Sequence, residues 1–232
     1  MPLPTQILDL QVRDLDLDHV RLCITRNEPA RYACLWYFWG SPDTVMKTNQ
    51  ATPEDHCKEI IVSALPATFR DTVTFVRKLG IHFLWVDSLC IIQDDPLDWR
   101  ESSKMSNIYT NSFITVAEAK SSDGQGWLFS STLPEHLGHA IPYTNGISST
   151  MNTYARQSLL HDPYWIAPEG DKLPLFRRGW AYQERLLAPR VLNYTSNELV
   201  MEYLGDVICE CSGIKSRYID WINGFLLPYY TF

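Results

Sequence analysis

Apolar positions gather in three short runs separated by amphipathic stretches. Arg31 to Trp39 reads RYACLWYFW and closes on Gly40-Ser41-Pro42, which predicts a strand buried on both faces and ended by a turn. Pro66 stands where a helix can begin, and Phe69, Val73, Val76 and Leu79 follow at spacings of four, three and three. That spacing lays one apolar stripe along a helix, and Gly80 supplies its stop. Phe83-Leu84-Trp85-Val86 comes next and ends on Asp87. Helix, glycine and buried strand in this order predict a crossover unit, hence a parallel sheet.

The unit then repeats. Asp95-Pro96 reads as N-cap and first helical residue, Asp98 lies in the first turn, and Met105, Ile108 and Tyr109 form the buried stripe. The expected sheet contains Tyr32 to Trp39, Phe83 to Asp87 and Phe113 to Ala117, flanked by helices over Pro66 to Leu79 and Leu97 to Thr110. From Ser121 to Arg178 the chain is rich in Gly, Pro, Ser and Asn and loses its periodicity, so a long insertion is expected there. Gly179 to Ala188 is a short helical pattern stopped by Pro189, and Arg190 to Tyr194 with Glu198 to Tyr203 reads as a hairpin around Ser196-Asn197. The expected organisation is one α/β domain over residues 1–232, with an insertion at 121–178 and a C-terminal hairpin. The closing GFLLPYYTF is bare aromatic, read either as a docked tail or as the edge of a longer chain.

Composition sharpens this picture. Hydrophobic residues make up 45% and charged residues 20% of the 232 positions, ample for a packed core. The net charge of −7 repels phosphate backbones and anionic membranes, so neither nucleic acid nor membrane is an expected partner. No apolar stretch approaches the ~18 residues a membrane span needs, and the first residues carry acids where a secretory leader is basic and apolar; a cytoplasmic location is expected. Six cysteines are too few for a disulfide scaffold and are read as reduced. Cys209-x-Cys211 with His136 and His139 departs from zinc-site spacing, and no metal centre is expected. Asp94-Asp95 reads as an N-cap arrangement and Gly124-Gln125-Gly126 as a turn. There is no Gly-x-Ser-x-Gly elbow, and Cys90 lies in an apolar run, which argues against acyl-enzyme chemistry.

Ligands of open parallel sheets bind beyond the carboxyl ends of the strands. Asp87 and Ser88 fall there, as do Tyr37, Trp39 and Gly40 after the first strand and Glu118 after the third. A second reading stands beside this one, in which Asp87 caps a turn and the aromatics are core. Glu184 is set among Arg177, Arg178, Trp180, Tyr182 and Arg185, surroundings that either tune a functional carboxylate or hold a buried ion pair.

Three ordered stretches resemble the heterokaryon incompatibility (HET) domain of filamentous fungi. Leu84-Trp85-Val86-Asp87-Ser88-Leu89-Cys90-Ile91-Ile92-Gln93-Asp94-Asp95, followed by Asp98-Trp99, Met105 and Ile108-Tyr109, is similar to the family's central motif. Arg178-Gly179-Trp180-Ala181-Tyr182-Gln183-Glu184-Arg185-Leu186-Leu187 resembles its second motif, and Leu65-Pro66-Ala67-Thr68-Phe69-Arg70-Asp71 with Leu79-Gly80 the helix between the first strand and the central motif. One departure is plain: where the family has Leu-Ser-Tyr-x-Trp-Gly, this chain has Leu35-Trp36-Tyr37-Phe38-Trp39-Gly40. The resemblance implies a domain that triggers cell death after nonself recognition, with an upstream recognition or signalling protein as partner and self-association on activation. It also implies a remote relation to Toll/interleukin-1 receptor (TIR) domains, with a flavodoxin-like parallel sheet. Some of these cleave NAD. By that analogy Trp180-Ala181-Tyr182-Gln183-Glu184 resembles a Trp-x-x-x-Glu stretch, Glu184 is the expected catalytic carboxylate, and Tyr37, Trp39, Gly40, Asp87, Ser88 and Trp180 are expected to bind the nucleotide. NAD would then be substrate, with no resident cofactor. Two other readings are a noncatalytic interaction module and a divergent copy with altered activity.

Overall fold

The structure is a computed structural model and describes residues 1–11, 17–41, 45–96, 105–121, 125–129, 139–145, 149–155, 175, 181–196, 198–203, 206–210 and 215–217. The predicted runs become strands because each is apolar on both faces: Tyr32–Trp36 (β3) and Ile114–Glu118 (β6) are buried at every position, and Phe83–Val86 (β5) at three of four. They are shorter than expected. Trp39 lies beyond the end of β3, Asp87 opens the short helix α3 (Asp87–Cys90), and Phe113 precedes β6.

These strands lie parallel, β5 beside β3 and β3 beside β6, and Arg190–Tyr194 (β9) extends the parallel set next to β6. The sheet as a whole is mixed rather than parallel. Gln6–Asp9 (β1), His19–Ile24 (β2) and Ile60–Ile61 (β4) continue it antiparallel beyond β5. Leu199–Tyr203 (β10), Asp206–Cys209 (β11) and Lys215–Arg217 (β12) continue it antiparallel beyond β9. The ten-strand order is β12-β11-β10-β9-β6-β3-β5-β1-β2-β4. The expected hairpin is β9–β10, and it is built into the sheet rather than appended to it. Within residues 121–178, His139–Asn145 (β7) pairs antiparallel with Ser149–Ala155 (β8).

After the short helix α1 (Pro53–Lys58), helix α2 (Ala67–Lys78) lies on one face, where Phe69 stacks edge-on against Tyr37 at 4.9 Å and Phe75 meets Tyr194 at 6.0 Å. Its stripe of Phe69, Val73 and Val76 is buried, but Leu79 is 46% exposed. The reason is local: Leu79 is the C-cap, and Gly80 follows with φ +69°, turning the chain away before the stripe reaches a fourth turn. At the same end Arg77 donates to the carbonyls of Leu10, Leu17 and His19, tying the helix to the β1–β2 connection.

The other face carries Met105–Thr110 (α4) and Ala181–Leu187 (α5), packed side by side. Tyr109 stacks edge-on against Trp85 at 5.8 Å, and the Tyr32 hydroxyl donates to the Ile108 carbonyl at 2.6 Å. The first part of the helix expected over Leu97 to Thr110, residues 97–104, lies outside the described residues. Strand alternation puts Cys34 and Trp36 on this α4–α5 side and Leu35 and Tyr37 on the α2 side.

Candidate functional site

The parallel strand order reverses between β3 and β6, since β5 lies on one side of β3 and the later β6 and β9 on the other. The carboxyl ends around this point bring Tyr37, Trp39, Asp87 and Glu118 to one edge.

Asp87 is the junction of that edge. Its Oδ1 accepts the backbone N–H of Ser88 at 2.7 Å, and its Oδ2 accepts the indole N–H of Trp39 at 2.8 Å. Gly40 follows with φ +70°, a conformation that glycine adopts without strain, so the chain turns directly after Trp39. Gln93 donates its amide to the carbonyls of Asp87 and Ile91. The buried Thr48 holds the rest of the segment: its N–H donates to Ser88 O, its hydroxyl to Leu89 O at 2.7 Å, and its carbonyl accepts Gln93 N–H. Since that hydroxyl proton is used on Leu89, the 2.9 Å contact with His56 runs from His56 Nδ1–H to Thr48 Oγ1.

The other expected site residues divide. Tyr37 and Ser88 are buried and joined by a 2.8 Å hydroxyl–hydroxyl bond, whereas Trp39 and Asp87 are half-buried. Trp180 lies outside the described residues. Glu184 is half-buried on α5, the helix on the sheet face that carries Cys34. The Cys34 thiol on that face is pushed well above its usual value by burial first, with smaller contributions in the same direction from Cys90, Glu184 and Asp87. The Cys90 thiol is likewise pushed up to about 12, mainly by burial. Both shifts favour the protonated thiol. The five cysteines among the described residues are free. His136 and Cys211 lie outside the described residues, and among those described no group of three or more His, Cys, Asp or Glu side chains gathers as a metal site.

Three further features flank the sheet, and the first escaped the sequence reading. On the α4–α5 face, Arg185 Nε donates to both oxygens of Glu202 at 3.0 and 2.7 Å, and Asn193 Nδ2 donates to Glu202 Oε1 at 2.7 Å. All three side chains are buried. Glu202 sits in phase with the buried Val200 along β10, so a charged residue at an inward position was the available signal. On the α2 face the fully buried Glu118 accepts Ser121 N–H, and Asp71 accepts Leu128 N–H at 3.0 Å. Burial pulls the nearby Lys120 ammonium below its usual value, against the opposing charges of Glu118 and Asp71. Trp36, the residue in place of the family serine, is 2% exposed and packs with Ala117, Leu175 and Val191.

No curated protein and no solved structure matches the chain. No helix among the described residues is long and apolar enough to cross a membrane. The family model described as heterokaryon incompatibility protein (HET) matches residues 32–184, about two thirds of the 232, from the first residue of β3 to Glu184 itself. Because that model spans more than half of the chain, the chain belongs to the heterokaryon incompatibility (HET) family.

Proposed function

We propose that this chain is a cell-death effector of fungal nonself recognition, working in the cytoplasm after self-association and acting by hydrolysis of NAD or a related nucleotide. The observation that carries the reading is the strand-order reversal between β3 and β6, at whose carboxyl edge Asp87 accepts the Trp39 indole N–H at 2.8 Å, with Glu184 carried on α5. Doubly wound sheets bind nucleotides at such a reversal. The run β5-β3-β6-β9, second, first, third and fourth among the parallel strands, is also the order expected of a flavodoxin-like or TIR-like core.

The chemistry needs a fixed anion. As the N-glycosidic bond breaks, nicotinamide leaves with the bonding pair and the ribose takes on oxocarbenium character; water then adds at the same carbon and releases a proton. Glu184 stabilises the cationic ribose or receives its hydroxyls, Asp87 hydrogen-bonds a ribose hydroxyl, and the indole of Trp39 offers a flat face to a base. Half-burial of Asp87 strengthens such contacts relative to water.

Concentrated protein incubated with NAD should release free nicotinamide. Glu184→Gln keeps size and hydrogen bonding but removes the charge, so turnover should fall by a factor on the order of 10²–10³, with melting temperature unchanged. Full turnover in folded Glu184→Gln removes the catalytic assignment. No release by the unmodified protein under clustering conditions favours a noncatalytic interaction module.

A further inference from the structure

We propose that Glu202 is a positioning residue for Glu184, acting through the buried Arg185. The inference rests on the catalytic reading of Glu184, but its residues Arg185, Asn193 and Glu202 all lie beyond the matched segment 32–184. Helix α5 has only seven residues, too short to hold its own rotation about the axis. Arg185 follows Glu184 directly, so its direction fixes that of its neighbour, about 100° away around the helix. That direction is heavily determined. The Arg185 side chain is 2% exposed, its Nε reaches both Glu202 oxygens, and Asn193 from the neighbouring strand holds Glu202 Oε1. Register places Asn193 opposite Val200 and Glu202 opposite Val191, so acceptor and amide stand on the same face beneath α5. A buried pair of this kind adds little net stability over apolar residues of similar volume, and what it supplies is direction.

The test separates direction from stability. The double variant Arg185→Met with Glu202→Leu fills the same volume without directed bonds and should retain its melting temperature. Positioning predicts kcat for nicotinamide release lower by about 10²-fold with KM nearly unchanged, the cost of roughly 1 Å of misplacement. A purely structural pair predicts wild-type kcat once folding is restored, and that result overturns the proposal. A second readout needs no activity. The infrared S–H stretch of Cys34, isolated by difference against Cys34→Ala, should respond to the Glu184 charge and should shift both in Glu184→Gln and in the double variant. If the unmodified protein releases no nicotinamide, the enzymatic reading fails while this shift still decides the positioning. An unshifted stretch in the folded double variant overturns it.

Discussion

Trp36 shows how one side chain can be replaced only with its surroundings. The family pattern has serine there, but in this chain the indole fills the space between Ala117, Leu175 and Val191 at 2% exposure. Trp36→Ser, a return to the family residue, therefore leaves a cavity and a hydroxyl in its place, and should cost about 3–5 kcal/mol in urea unfolding. His56 makes a different demand. Burial holds its ring below the ordinary value of 6.5, against the weaker pull of Asp55. The folded chain thus binds fewer protons than the unfolded chain once pH falls near 6.5. Its stability drops through that point and down to the depressed folded value, while above the window the neutral ring changes nothing. Melting temperature followed from about pH 8 to 5 should show this fall, and His56→Asn, which keeps a donor toward Thr48, should flatten it.

At the scale of elements, the loop Gln125–Phe129 is held by its neighbours rather than by its own turn. Thr68 donates to Gly126 O at 2.7 Å, and Asp71 accepts the N–H groups of Leu128 and Phe129. A Cβ on Gly126 would stand 2.4 Å from Ser121 Cβ and Oγ and 3.4 Å from Glu118 Oε1. Gly126→Ala should accordingly destabilise by about 1–3 kcal/mol, read by thermal melting, because the close approach of the two segments must open. Of the turn expected at Gly124-Gln125-Gly126, Gly124 lies outside the described residues, and Gly126 holds a packing contact that its letters did not reveal. What the letters did reveal were β3, β5, β6 and the β9–β10 hairpin, whose apolar runs carry burial on their face. The edge strands were silent for physical reasons. Gln6–Asp9 has four residues and ends on an acid paired with Arg21, and His19–Ile24 is half-buried at alternate positions. Such short, partly solvated strands differ little in pattern from a polar loop. The same holds for the candidate site: Asp87 and Trp39 were legible from the strand-end rule, while the Arg185–Glu202 pair spans 17 residues and needed the register of β10.

Across the whole molecule, the sheet joins pieces made at very different times. The β1–β2 pairing is local in sequence, as is β9–β10, but Val116 at the middle of β6 lies between Leu35, far upstream, and Leu192, far downstream. Closing such distant contacts is slow, since chain entropy is lost before the contact rewards it. Refolding from urea should therefore be staged. Pulse-labelled amides of β1 and β2 should become protected before those of β6, and simultaneous protection of all three would contradict this order. The position of β6 also matters during synthesis. Until Arg190–Tyr194 has left the ribosome, the apolar β6 presents an open row of N–H and C=O groups toward its missing neighbour, a template for the wrong strand. The second motif and the hairpin behind it thus decide when the nascent chain stops being adhesive, which makes the interval between residues 118 and 190 the period in which this protein most needs a chaperone.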